Sequence, residues 1–81
     1  MDVSKGPVVE RIARVLAGQR LSANGQGSGV SVSAEVDRSW PEHCDEAIAI
    51  LRTLREPDQA MAAAGDPAVW ERMILAALDE V

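Results

Sequence analysis

His43, Cys44, Asp45 and Glu46 are the one place in this 81-residue chain where groups able to do chemistry crowd together. A cysteine nucleophile needs a base within hydrogen-bond reach. Adjacent residues on a helix point about 100° apart, so His43 is badly placed to serve Cys44, and the chain has no second histidine. Zinc takes three or four His, Cys or carboxylate ligands, and one of each with flanking acids does not assemble that set. The cluster therefore reads as Cys44 acting as a small buried hydrophobe, beside acids in a solvated first helical turn. An enzyme would have to build its site between two copies, from His43, Cys44 and Glu46 of each. No catalytic residue, metal ligand or cofactor is expected.

Three further features invite a functional reading. Gly25, Gly27 and Gly29 could suggest a phosphate cradle. A dinucleotide fingerprint needs a preceding strand and a following helix, and a nucleotide loop needs Gly-Lys-Ser/Thr. Neither is present, so the stretch reads as a linker. Trp70 falls in an apolar helical stripe and belongs to the core. Trp40 sits at a loop–helix junction, where it either lids the core edge or stands exposed as an interface anchor of the kind tryptophan often supplies. Finally, Lys5, Arg11, Arg14 and Arg20 make the N-terminal stretch basic.

The elements that must carry these residues follow from periodicity and punctuation. Pro7 suits a first helical turn, and Val8, Val9, Ile12, Val15 and Leu16 recur at helical spacing, predicting a helix over about 7–21. Gly18 weakens its end, and Asn24-Gly25 is a turn signal. Residues 22–38 read as a long connection, flexible in its first half. In its second half Val30, Val32, Ala34 and Val36 alternate with polar residues, the period of a half-buried strand. That predicts an extended segment over 30–36, lying over the helices or pairing with another chain. Ser39 and Glu42 resemble a capping box, although Trp40 is pushed out of helical geometry by Pro41. A second helix is expected over about 40–56, with Cys44, Ala47, Ile48, Leu51 and Leu54 inward and Ile50 off the stripe. Pro57 ends it. Asp58 caps a short helix over 59–64 that stops at Gly65. Asp66-Pro67 opens a last helix whose apolar face runs through Val69, Trp70, Met73, Ile74, Ala77, Leu78 and Val81, with Leu75 outside it. The expectation is one all-α domain over residues 1–81: a small bundle of three to four helices with a long flexible loop.

Leu51 to Pro57, Met61 to Gly65 and Trp70 to Leu78 also resemble a group of small uncharacterised bacterial proteins, mostly from alphaproteobacteria and some phages. The shared features are the Arg55-Glu56-Pro57 break, the Met-x-x-Ala-Gly helix end and the Trp-x-x-Met-Ile-x-Ala-Ala-Leu tail. The likeness covers about residues 51–79, with a weaker echo in Ile12 to Leu16. It implies a helical fold and brings no catalytic residue, cofactor or partner with it.

Composition narrows the function classes. The chain is 47% hydrophobic, but Ala supplies much of that, and there is no Phe or Tyr. Small domains bury a modest share of their surface, so the few large side chains must carry the core. Net charge is −5. Residues 1–20 carry +2 and residues 21–81 carry −7. The molecule as a whole repels phosphate backbones, which disfavours nucleic acid apart from a local contact through Lys5, Arg11, Arg14 and Arg20. A lone cysteine cannot form an internal disulfide. No apolar run approaches the ~20 residues that span a bilayer, and the first residues lack a signal-peptide pattern. No membrane partner and a cytoplasmic location are expected. The function expected is a non-catalytic protein-interaction module, partnered by another protein or by itself as a homodimer, with Val30, Val32, Val36 and Trp40 as contact residues. The alternative is a small regulatory protein touching nucleic acid through its basic N-terminal helix.

Overall fold

A computed structural model describes residues 3–23 and 32–80. Five α-helices and one 3-10 turn form these residues: α1 (Val8–Ala23), α2 (Val32–Ser39), the turn Trp40–His43, α3 (Cys44–Leu54), α4 (Gln59–Ala64) and α5 (Pro67–Asp79). No strand occurs among them. The all-α class expected from periodicity is the class observed.

The packing starts at small residues. Ala13 and Ala17 of α1 and Ala47 of α3 are fully buried, which brings the two helices close together. Val9, Leu51 and Ile74 complete the set of buried side chains. Around them pack half-buried residues that include Ile12, Leu16, Trp40, Ile48 and Trp70. Alpha1 lies along α3 and the 3-10 turn, α2 packs on α1, and α5 packs on α3 and touches α1. Every residue of α4 is at least partly exposed.

The caps of the C-terminal helices follow their residue types. The Asp58 carboxylate accepts from the Met61 amide at 2.9 Å, and the Asp66 carboxylate accepts from the Ala68 amide at 2.9 Å. Each satisfies an amide that has no partner within its helix. Pro67 occupies the first turn of α5, where its missing N–H costs nothing.

Three expectations are corrected. The extended segment expected over 30–36 is helical from Val32 on, while residues 30 and 31 lie outside the described residues. Val32 and Val36 satisfy a period of four as well as a period of two. A lone strand would leave its backbone groups without partners, whereas a helix pairs them internally. An ion pair between Glu35 and Arg38 and a 2.7 Å bond from the Ser39 hydroxyl to the Glu35 carbonyl add local support. The long connection over 22–38 is accordingly shorter, because α1 runs on to Ala23 and α2 takes up residues 32–39. The capping box at Ser39 does not form either. Ser39 makes no side-chain cap bond, the residues from Trp40 to His43 adopt a 3-10 turn, and α3 begins only at Cys44. Trp40 thus takes helical geometry in the 3-10 turn, against the pre-proline preference for extended backbone.

Candidate functional site

Of the four residues expected to make contacts, Val36 and Trp40 pack within the fold. A methyl group added at Gly18 of α1 would lie 3.9 Å from Val36. Val36 is half-buried at this α1–α2 contact. Trp40 is half-buried against the core, and the Arg14 guanidinium lies over its ring, 5.4 Å from the centroid. That distance is within the range of a cation–π attraction. Trp40 thus lids the core edge. Val32 is the first residue of α2, and Val30 and the glycines 25, 27 and 29 lie outside the described residues.

The basic residues of the N-terminal stretch are partly neutralised. Arg14 donates from Nε to Glu10 at 2.9 Å and from Nη1 to Asp37 at 2.7 Å. These bonds hold its guanidinium above its ordinary pKa, with the Asp37 bond the larger cause. Arg20 donates to Glu46 at 3.0 Å, while Lys5 and Arg11 are exposed.

His43 and Glu46 meet across one turn. His43 Nδ1 is 3.0 Å from one Glu46 oxygen, and Arg20 reaches the other. Glu46 therefore titrates below an ordinary glutamate, chiefly through the His43 bond. Cys44 is half-buried and packs on the core. Among the described residues no three His, Cys, Asp or Glu side chains converge on a point that could hold a metal ion.

The surface that stands apart lies at the other end of the chain. Between α4 and α5 runs a groove of about 440 Å³, walled by Pro57, Met61, Val69, Trp70 and Met73, with Asp66 its one charged lining residue. Met61 is 37% exposed, Val69 39% and Met73 61%. Trp70 forms the floor. Its indole N–H donates to the Leu54 carbonyl at 2.6 Å, which satisfies an otherwise unpaired carbonyl at the end of α3 and ties α5 to it. Arg55 and Glu71 approach to 3.8 Å across the same junction. The Asp58 cap closes the first turn of α4.

Sequence reasoning assigned Val69 and Met73 to the core of the last helix, and the structure leaves both on the surface. A signal was present. The apolar face of α5 spans roughly half its circumference, wider than the ~100° stripe that one packed neighbour covers. Ile50 and Leu75, which fall off their stripes, are exposed as well. Chemically the groove can bind apolar side chains. Its one carboxylate, Asp66, is engaged in capping α5. No family model, curated protein or solved structure matches the chain.

Proposed function

We propose that this chain is a non-catalytic protein-interaction module whose contact surface is the α4–α5 groove. The observation that carries the reading is the concentration of Met61, Val69 and Met73, all substantially exposed, around one groove with a single charged lining residue. Monomeric proteins seldom leave large apolar side chains clustered on one surface without a use for it. Methionine in particular adapts its shape to different contacts. Of the contact residues expected from the sequence (Val30, Val32, Val36 and Trp40), Val36 and Trp40 fit a supporting role better, because they pack α2 and the 3-10 turn on α1.

Nucleic acid fits less well. Arg14 and Arg20 already face carboxylates, and the net charge of −5 opposes approach to a phosphate backbone. The proposed setting is the cytoplasm. The lone Cys44 suits a reducing compartment, and among the described residues no helix is long and apolar enough to cross a membrane.

Affinity capture with the full chain and with Met73→Arg as parallel baits tests the reading. Wild type should retain proteins, its own copies included, that Met73→Arg loses. The same proteins held equally by both baits would show that the groove is not the contact surface.

A further inference from the structure

We infer that the occupant of the groove is an amphipathic helix of another protein, apolar along one face and carrying Lys or Arg at both ends of that face. This rests on the interaction reading above and names the chemistry of the partner.

The first argument is charge. Residues 56–80 carry six carboxylates, on Glu56, Asp58, Asp66, Glu71, Asp79 and Glu80, against one guanidinium, that of Arg72. They hold the whole of the net charge of −5, because acidic and basic residues balance over 1–55. All six carboxylate residues are exposed. Among the described residues only Glu71 of the six faces a basic side chain, Arg55 at 3.8 Å. The rest of the molecule differs: there Glu10, Asp37 and Glu46 each pair with an arginine of α1. The end that holds the open groove is thus the end with unneutralised negative charge. Such a surface repels phosphate backbones and draws in a cationic partner.

The placement of that charge sets the shape of the partner. Val69, Met73 and Ala76 are exposed and spaced four and three apart, an apolar seam along α5. Asp66, which lines the groove, stands at the start of this helix, and Glu80 follows Met73 by two helical turns on the same face. Arg72 adjoins Met73 and so points about 100° away from it. An uncharged seam is therefore bracketed by a carboxylate at each end, about 21 Å apart along the helix. Alpha4, the other wall, carries no charged side chain. A ligand that meets both ends must be elongated, with cationic groups about four helical turns apart and apolar groups between them. No strand edge is on offer among the described residues, so the partner has to pair its own backbone, as a helix laid in a groove does. A second copy pairing α5 with α5 would set carboxylate against carboxylate at both ends, in either direction.

Fluorescence anisotropy with labelled peptides and the full chain tests the pairing. The probe is a helical peptide of about 14 residues. It has Leu at positions spaced like Val69, Met73 and Ala76, Lys at each end of that face, and Ala or Gln elsewhere. Wild type should bind it, with affinity falling about tenfold from about 0.05 M to about 0.5 M salt. The same peptide with Glu in place of Lys should bind at least about tenfold more weakly. Met73→Arg should raise the dissociation constant by at least about thirtyfold. Asp66→Asn combined with Glu80→Gln should raise it about tenfold, and asparagine keeps the cap of α5, so that loss is not one of folding. Glu42→Gln combined with Asp45→Asn removes the same charge from exposed positions around the start of α3, and should leave it within about twofold. No binding up to about 1 mM peptide, equal binding of the Lys and Glu peptides, or equal losses in the two double variants would overturn the basic helix. So would a wild type that dimerises in light scattering and loses the dimer with Met73→Arg, because a second copy then fills the groove. Any of these, beside captured proteins that are lost with Met73→Arg, overturns the basic helix and leaves the interaction reading standing. Captured proteins held equally by both baits, with peptide binding indifferent to Met73→Arg, overturn both.

Discussion

The α1–α3 half of the molecule and the α4–α5 end treat similar residues in opposite ways. Five of the six buried side chains come from α1 and α3, and α5 contributes only Ile74. In the first half, alanines at Ala13, Ala17 and Ala47 bring helices close enough to exclude water. In α4 a comparable run, Ala60 to Ala64, buries no residue. The difference is partnership. Alpha1 meets α2, the 3-10 turn and α3, whereas α5 meets one face of α3 and part of α1. An alanine-rich helix gains from burial only where a neighbour lies against it, because each alanine contributes little area.

The sharpest way to break this comparison is to truncate one large side chain on each side. Leu51→Ala should destabilise the chain by about 3 kcal/mol in urea unfolding, through lost transfer energy and the cavity left behind. Met73→Ala, measured at concentrations where the chain is monomeric, should move stability by no more than about 0.5 kcal/mol. Similar losses at the two positions would mean that α5 is packed as tightly as α3. A smaller effect is expected at the cap of α5. Asp66→Ala removes the carboxylate that accepts from the Ala68 amide, and should cost about 1 kcal/mol, seen as a lower urea midpoint at unchanged slope.

Gly18 offers a gain of similar or lesser size in the packed half. It lies inside α1, and an added methyl would meet Val36 at an ordinary contact distance of 3.9 Å. Gly18→Ala should therefore raise stability by about 0.5–1 kcal/mol through helix propensity. A loss would show that α2 sits closer to α1 than this geometry allows.

The smallest effect belongs to Glu46, which joins α3 to His43 and to Arg20 of α1. Its pKa is lowered in the folded state, chiefly by the His43 bond. Its contribution is therefore present above the carboxylate's unfolded pKa and is lost as pH falls through the lower folded value. Glu46→Gln should unfold more easily than wild type at neutral pH, with the gap closing in acid. A gap that stays constant across that range would mean that the charge of Glu46 has no part in the bridge.

How legible each region was in the sequence follows from the same contrast. Helices α4 and α5 start where their Asp caps and Pro67 place them, because these signals act within one turn and need no tertiary neighbour. The sequence reading of α2 fails because Val32 and Val36 fit two periods at once, and the choice falls to the backbone pairing that a lone helix has and a lone strand lacks, with the docking of Val36 beside Gly18. The groove was hidden for a related reason. Hydrophobic spacing identifies the apolar face of α5, but not how much of that face the rest of the chain covers. The over-wide stripe through Val69 and Met73 held the clue, and the exposed Ile50 and Leu75 repeat it. The His43–Glu46 contact was within reach of three-residue helical spacing, while the Arg20 contact joins residues 26 apart and needed the fold.

Amide hydrogen exchange tests the central claim, that α5 leaves an open apolar face while α1 and α3 pack closely. Amides of α5 should exchange faster than those of α1 and α3, because fewer buried contacts hold that helix. Equal protection across the three helices would contradict the account.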